Sequence, residues 1–225
     1  DFNDLDSVKE KISEKTCAII VEPIQGEGGL YPAKKEFLQG LRALCDANDI
    51  ILIFDEIQCG MGRTGSMFAY QDYGVKPDIM TSAKALGCGV PVGAFAATKR
   101  VANAFELGDH GTTYGFNPLV TAAVSKVFDM FESYQLIDHV KEVSAYLEAK
   151  LDELVKDYDF VIERRGKGLM QGLELSIPAK DIIGKAMENG LIIISAGSNI
   201  LRFVPPLVIT KDDVDTMITI LKKCL

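Results

Sequence analysis

The sequence predicts an α/β fold, in which a large domain with a mostly parallel sheet is followed by a smaller C-terminal α+β lobe. Short apolar segments alternate with an amphipathic helical segment in the first half. A long helical pattern occupies the middle, and short apolar segments alternate with helices again near the C-terminus. The 225 residues, 48% of them hydrophobic, are enough for one large domain, or for one domain and part of another.

Short apolar segments that end at polar or charged residues predict the strands of the first part. They are residues 17–21, 50–54, 78–83 and 93–98. Between the first two segments, residues 34–48 carry apolar side chains at helical spacing, which predicts a helix with one buried face. This β-α-β order predicts that neighbouring strands pair in parallel.

Helical periodicity dominates the middle of the chain. Apolar residues from Leu119 to Met130 predict one helix, which begins after Asn117 and Pro118, and a second helix is predicted from Leu136 to Tyr158. Beyond it, apolar segments at 160–162, 169–175 and 191–194 alternate with helices near 179–189 and 211–223. We expect residues 1–145 to form part of a large domain, including the start of a connecting helix, and residues 146–225 to form a small domain.

Composition excludes several classes of function. The net charge of −8 argues against binding to nucleic acid. The five cysteines are scattered and form no CxxC motif, which argues against a disulfide framework and a zinc site. No apolar run is long enough to span a membrane. We therefore expect a reduced, cytoplasmic protein with no metal site, and a portion of a longer chain because the sequence does not begin with Met.

Asp55 and Lys84 form the most distinctive pair of polar residues. Asp55 follows the apolar segment 50–54, and Lys84 follows the segment 78–83. Binding sites in α/β sheets collect at the carboxyl ends of strands, so both residues are candidates for one site. A lysine followed by glycines is suited to a Schiff base, and a nearby aspartate can keep a ring nitrogen protonated. Locally, a turn-capping aspartate and an exposed loop lysine remain the open alternative.

Three further segments carry polar groups of interest. GMGRTG at 60–65 matches the GxGxxG pattern of nucleotide-binding oxidoreductases, but no acidic residue follows about 20 positions later, so we interpret it as a glycine-rich turn. HGTTYGFNPL at 110–119 offers two hydroxyls to a phosphate or carboxylate, or is simply a polar loop before a helix. Glu27 and Arg202 are opposite charges far apart in sequence, and each alone is equally consistent with a surface charge.

Five longer segments follow one another along the chain: VEPIQGEGG (21–29), FDEIQCGMGRTG (54–65), DIMTSAKALGCG (78–89), HGTTYG (110–115) and LRFVPPL (201–207). In this order they resemble the class III aminotransferases, which use pyridoxal phosphate. Within that family the similarity is greatest to the acetylornithine aminotransferases. The resemblance implies the fold type I architecture of pyridoxal-phosphate enzymes, with part of the large domain and a small C-terminal domain.

The resemblance implies four cofactor-binding residues. Lys84 matches the lysine that binds pyridoxal phosphate as a Schiff base, and Asp55 matches the aspartate that faces the pyridine nitrogen. Gln58 matches the residue beside the phenolic oxygen of the cofactor. Thr113 matches a threonine that binds the cofactor phosphate across a dimer interface. Lys84 and Asp55 are thereby also the predicted catalytic residues.

The resemblance also implies three substrate-binding residues. Thr112 occupies a position near the substrate where the family usually has serine, and Glu27 and Arg202 match a pair that opens or closes around substrate carboxylates. Two more departures concern glycines, because Cys88 and Phe116 each occupy a position where the family usually has glycine.

The function that the resemblance implies is transamination of N2-acetylornithine with 2-oxoglutarate in arginine biosynthesis, by a homodimer. Ornithine and 4-aminobutyrate aminotransferases are the alternatives within the family. Outside the family, the alternatives are a non-catalytic fragment or dimerisation module, and a nucleotide-binding oxidoreductase on the basis of GMGRTG. The family's N-terminal phosphate loop, stacking aromatic residue and carboxylate-binding arginine have no counterpart here, so we expect these 225 residues to be inactive alone.

Overall fold

The computed structural model describes all residues, 1–225, and divides them into two compact units. The first unit contains residues 1–23, 33–61 and 66–134. The second contains residues 24–32, 62–65 and 135–225, so two short segments from the first half of the sequence belong to it. No helix is long and apolar enough to cross a membrane.

A four-stranded sheet forms the centre of the first unit. Its strands, in spatial order, are β1 (Ala18–Val21), β2 (Ile51–Asp55), β3 (Ile79–Ser82) and β4 (Ala94–Ala97). The first three strands pair in parallel, and β4 pairs with β3 in the antiparallel direction. The predictions of these four strands and of a mostly parallel sheet are confirmed.

Helices flank this sheet. They are α1 (Leu5–Lys9), α2 (Lys35–Asn48), α3 (Ala69–Tyr73), α4 (Lys99–Ala102) and α5 (Pro118–Ser133), with a 3-10 turn at Lys84–Leu86. The apolar face of α2, including Phe37 and Leu41, shares one core with Leu52 and Phe54 of β2. Asn117 caps α5 through its side chain, which accepts the N–H of Val120, so the predicted start of this helix is confirmed.

The second unit is an α+β lobe. Its elements are α6 (Leu136–Asp157), β5 (Val161–Lys167), β6 (Met170–Leu175), α7 (Lys180–Glu188), β7 (Ile194–Ala196), β8 (Ile200–Phe203) and α8 (Lys211–Cys224). The strands form an antiparallel sheet in the order β5-β6-β8-β7. Buried residues of α6, such as Leu147 and Leu151, pack with Leu173 and Leu201 of this sheet.

Two features of the second unit bear on the sequence analysis: the apolar segment 191–194 and the predicted domain boundary. Of the apolar segment 191–194, only Ile194 belongs to a strand, and the first three residues are irregular. Ile193 is buried, whereas Ile192 is 81% exposed, so this apolar run marks neither a strand nor a wholly buried segment. The predicted domain boundary between residues 145 and 146 falls inside α6, and it stays a prediction about the longer protein.

Candidate active site

The carboxyl edge of the first sheet brings the two predicted catalytic residues to neighbouring strands. Asp55 is the last residue of β2 and lies opposite Thr81 of β3 in the parallel register. Strand β3 ends at Ser82, and Lys84 follows two residues later. Because parallel strands end at the same edge, Asp55 and Lys84 both lie at the edge where ligands bind in α/β sheets.

The Asp55 carboxylate is fixed through one oxygen and open at the other. Its Oδ1 accepts the N–H of Ile57 at 3.0 Å and the hydroxyl of Thr81 at 3.2 Å. Its Oδ2 accepts no hydrogen bond from the protein, and the side chain is half-buried. The protein therefore orients this carboxylate and leaves one oxygen for a donor on a ligand.

Lys84 has an unusual backbone conformation. Its φ is +49°, in the left-handed region, and its side chain is exposed. It opens a 3-10 turn, in which the N–H of Gly87 donates to the Lys84 carbonyl at 3.2 Å. A non-glycine residue in this region costs about 1–2 kcal/mol. Such backbone strain is found at functional positions, where the surrounding structure has to hold it.

Glu56, which follows Asp55 directly, is a functional candidate that sequence reasoning missed. Its side chain is fully buried, and its carboxylate accepts the backbone N–H groups of Ala69 at 2.5 Å and Tyr70 at 2.7 Å. Burial raises the pKa of this carboxyl to about 7, although the two N–H groups act in the opposite direction. Gln58, two residues further on, is half-buried at the same edge of the sheet.

Thr112 and Thr113 lie in an exposed turn ahead of α5. The Thr112 hydroxyl accepts the N–H of Gly115 at 3.1 Å, so it closes the turn. Thr113 is exposed and makes no hydrogen bond within the chain. Phe116 is exposed too, and its φ of +56° lies in the region that favours glycine. The structure does not bring either threonine into hydrogen-bonding contact with Asp55 or Lys84.

Glu27 and Arg202 form an ion pair in the second unit. Nη1 of Arg202 donates to Oε1 of Glu27 at 2.5 Å. The Arg202 side chain in β8 is 10% exposed, whereas the Glu27 side chain is 75% exposed. The pair therefore consists of a buried guanidinium covered by an accessible carboxylate. A bound carboxylate could replace Glu27 at the guanidinium, because arginine binds carboxylates readily with two parallel bonds.

The segment 24–32 that carries Glu27 is anchored to the second sheet. Leu30 is fully buried against Gly172, where a Cβ would lie 3.2 Å from Leu30 Cγ. The guanidinium of Arg165 lies 4.2 Å from the centre of the Tyr31 ring, which is a cation–π contact. These contacts hold the loop so that Glu27 meets Arg202.

The GMGRTG segment serves a structural purpose. The Arg63 guanidinium donates to the carbonyl of Leu169 at 3.2 Å and to that of Pro205, while the Leu169 N–H donates to the Arg63 carbonyl at 2.9 Å. Burial lowers the pKa of Arg63 to about 10. Gly168 packs so closely on this segment that a Cβ would lie 2.4 Å from the Arg63 carbonyl oxygen. The segment is a glycine-rich turn, as its sequence predicts.

The residues at the first sheet fit pyridoxal phosphate. The open oxygen of Asp55 can accept the N–H of a protonated ring, and the exposed amine of Lys84 at the neighbouring strand end can react with an aldehyde. No group of three or more histidine, cysteine, aspartate or glutamate residues is arranged to hold a metal ion.

Comparison with known proteins identifies the family. The class-III aminotransferase family model matches residues 2–225, and the chain belongs to this family. It is 48% identical over 220 residues, or 98% of its length, to the acetylornithine aminotransferase of Methanocaldococcus jannaschii. It is 50% identical over its whole length to the acetylornithine aminotransferase of Clostridium acetobutylicum.

A solved structure agrees with this assignment. The N-acetylornithine aminotransferase of Stenotrophomonas maltophilia K279a superimposes with a TM-score of 0.91 at 38% identity, covering 100% of this chain and 60% of that one. The chain spans 55% and 58% of the lengths of the two curated relatives. The predicted family and fold class are therefore confirmed, and the activity of the whole protein is the subject of a proposal.

Proposed function

We propose that the full-length protein is a pyridoxal-phosphate-dependent aminotransferase that converts N2-acetylornithine with 2-oxoglutarate as amino acceptor, in arginine biosynthesis in the cytoplasm. The observation that carries the proposal is the placement of Asp55 and Lys84 at the ends of adjacent parallel strands in a chain of this family. The names of its close relatives support the choice of acetylornithine among the family's substrates.

The proposed roles of the cofactor-binding residues follow from their chemistry. Pyridoxal phosphate, when bound, supplies an aldehyde and a ring that withdraws electrons from the substrate carbon. Asp55 holds a proton on the ring nitrogen through its open oxygen, and its bonds to Ile57 and Thr81 keep it oriented. Lys84 holds the cofactor between reactions. With the cofactor bound, the Lys84 amine would also be the group that moves a proton to and from the substrate carbon.

Three polar residues complete the proposed site. Gln58 contacts the phenolic oxygen of the cofactor, and Thr113 binds its phosphate from the partner subunit of a homodimer. Thr113 is accessible for such a role, because its side chain is exposed and makes no hydrogen bond within the chain. Thr112 lies near the substrate and closes the turn that presents Thr113.

A homodimer is also favoured by the apolar surface around this turn. Large hydrophobic side chains on the first unit are strongly exposed in the segment that leads to and follows Thr112. They include Phe105, Leu107, Phe116 and Leu119. Large apolar side chains that are exposed in one segment support the proposal that a second protein chain covers them.

The proposed role of Glu27 and Arg202 is to let one site accept two unlike substrates. With acetylornithine, whose reacting amine is on the side chain, Arg202 stays paired with Glu27. With glutamate or 2-oxoglutarate, Arg202 is released and binds the α-carboxylate with two hydrogen bonds. The short contact between a buried guanidinium and an exposed carboxylate supports such an exchange.

Single-turnover absorbance measurements on the full-length protein test the proposed function. The protein loaded with pyridoxal phosphate is mixed separately with acetylornithine, ornithine and 4-aminobutyrate, and conversion of the cofactor to its amine form is followed. We expect acetylornithine to react with the highest ratio of rate to apparent dissociation constant. A higher ratio for ornithine or 4-aminobutyrate would assign the alternative activity, and no reaction with any of them would support a non-catalytic module.

A further inference from the structure

Glu56 is the one fully buried acidic residue in the turn that follows β2, and the proposed chemistry assigns it no role. Both of its carboxylate oxygens accept backbone N–H groups at the start of α3, from Ala69 at 2.5 Å and from Tyr70 at 2.7 Å. Its own N–H donates to the Thr81 carbonyl at 3.2 Å, and its carbonyl accepts the N–H of Gly60 at 2.9 Å. Every polar group of Glu56 is therefore used within the first unit.

These bonds lie on both sides of a break in the first unit. The chain leaves this unit after Met61 and returns at Ser66. Glu56 is bonded to Gly60 before the break through its carbonyl, and to Ala69 after the break through its carboxylate. The turn from Asp55 to Gly60 is thereby tied to a segment that lies nine or more residues further along the chain.

The turn is also packed tightly around Glu56. A Cβ on Gly60 would lie 2.6 Å from the Glu56 carbonyl oxygen and 3.2 Å from its Oε2. Only glycine allows this approach, because real Cβ atoms do not come so close to backbone oxygen atoms. The position of Gly60, and with it that of the residues between Asp55 and Gly60, depends on where Glu56 lies.

A buried carboxylate is costly, so its presence calls for a reason beyond packing. Desolvation disfavours the charged form, and the Asp72 carboxylate adds repulsion. Its charge in turn helps raise the pKa of the Tyr73 hydroxyl, after the larger effect of burial. A neutral side chain of similar size would fill the same volume without these costs. Accepting two backbone N–H groups at once is what a carboxylate does better than an amide.

We propose that Glu56 is a positioning residue of the cofactor site: its carboxylate fixes the turn from Asp55 to Gly60 and so sets where the Asp55 carboxylate and the Gln58 side chain lie. Glu56 itself does not contact the cofactor in this proposal. The nature of the ligand rests on the proposed function, whereas the fixing of the turn does not.

The test compares Glu56→Gln with Asp78→Asn in the full-length protein. Glutamine keeps the size of Glu56 but directs its NH₂ group at one of the two N–H donors. Asp78 is a matched control, because its carboxylate accepts the Leu52 N–H at 2.9 Å and an Arg42 N–H at 2.8 Å. Asp78 precedes β3, so it supports the same sheet at the opposite edge from Asp55. Both variants are expected to lower the melting temperature.

Two readouts separate positioning from general stability. The first is the dissociation constant of pyridoxal phosphate, measured by absorbance titration well below the melting temperature. The second is hydrogen–deuterium exchange of the peptide that covers residues 55–60, measured without cofactor. We expect Glu56→Gln to weaken cofactor binding about tenfold, the effect of losing one hydrogen bond to a charged group, and to speed exchange in this peptide. Asp78→Asn should change neither by more than about twofold, since it acts at the other edge.

The proposal is overturned if Glu56→Gln lowers the melting temperature but leaves cofactor affinity and exchange of residues 55–60 as in the wild type. If Glu56→Gln does not fold, Glu56→Asp, which keeps the charge but is one methylene too short, is expected to give the same two changes. If the wild type binds no pyridoxal phosphate, the proposed function fails. The exchange measurement then still decides whether Glu56 fixes the turn.

Discussion

Replacing Glu27 with glutamine is expected to shift the preference of the enzyme toward glutamate. The substitution keeps the length of the side chain and an acceptor oxygen for Arg202, but removes the charge that competes with a substrate carboxylate. Hydrogen bonds to charged groups contribute about 1.5–3 kcal/mol. Because the Glu27 side chain is 75% exposed, water weakens the pair, and the lower end of that range applies.

A change of about 1.4 kcal/mol corresponds to a tenfold change in an equilibrium constant. We therefore expect Glu27→Gln to lower the apparent dissociation constant of glutamate about tenfold, since Arg202 no longer has to be released from a charged partner. The acetylornithine half-reaction, in which Arg202 stays paired with Glu27, should be unchanged or weakened. Arg202→Ala should damage the glutamate half-reaction most.

Single-turnover rates, measured separately for each half-reaction over a range of substrate concentrations, provide the assay. Asp152→Asn is the matched control. Asp152 is also an accessible carboxylate, 47% exposed, that is paired with an arginine of the same unit, Arg164, whose side chain is 21% exposed. The control should leave both half-reactions close to the wild type. If Glu27→Gln and Arg202→Ala each affect the two half-reactions equally, Glu27 and Arg202 do not act as a substrate switch.

Three more predictions concern the first unit. Asp55→Asn should lower turnover on the order of 100-fold or more, because one preorganised electrostatic group is lost, and should change urea unfolding little. Near-normal turnover would exclude Asp55 as the partner of the ring nitrogen. Lys84→Gly should be more stable than Lys84→Ala by about 1 kcal/mol in urea unfolding, because φ is +49° there; equal stabilities would contradict the strain. Because burial raises the pKa of Glu56 from 4.5 to about 7, folding takes up a proton in this range. The wild type should lose stability relative to Glu56→Gln as the pH rises from about 4.5 to 7. If the difference in free energy of unfolding between the two proteins does not change with pH, the pKa of Glu56 is not raised by folding.

The strands at the candidate site are predictable because burial leaves a local pattern. The segment that leads to Asp55 has five consecutive apolar residues, and the structure confirms a strand over Ile51–Asp55 with neighbours on both sides. The apolar segment 191–194 shows the limit of this signal, because only Ile194 lies in a strand and Ile192 is 81% exposed. An apolar run alone therefore specifies neither burial nor hydrogen bonding.

The pairing of charges is not readable from local sequence. Glu27 and Arg202 are 175 positions apart, and only the family resemblance joined them before the structure was known. The donors to Glu56 come 13 and 14 residues later, and a glutamate beside an aspartate gives no signal of burial. The partners of Arg63 are 106 and 142 residues away, so the local sequence does not predict that Arg63 fixes the glycine-rich turn.

Backbone strain at the candidate site could not be predicted from the sequence either, for a different reason. Lys84, Cys88 and Phe116 all have positive φ angles, although none of them is glycine. Positive φ angles are expected mainly at glycine, asparagine and aspartate, so the residue types at these three positions do not predict them. Cys88 and Phe116 occupy positions where the family resemblance leads us to expect glycine. The structure explains that expectation, because the backbone there keeps the conformation that glycine adopts most easily.

The site of covalent attachment of the cofactor tests the central claim most directly. The full-length protein is saturated with pyridoxal phosphate, reduced with borohydride, digested and mapped by mass spectrometry, with Lys84→Ala as the control. We expect the pyridoxyl group on Lys84 in the wild type and no stoichiometric label in Lys84→Ala. A stoichiometric label on another lysine, or no label in the wild type, would contradict the assignment of this sheet edge as the active site.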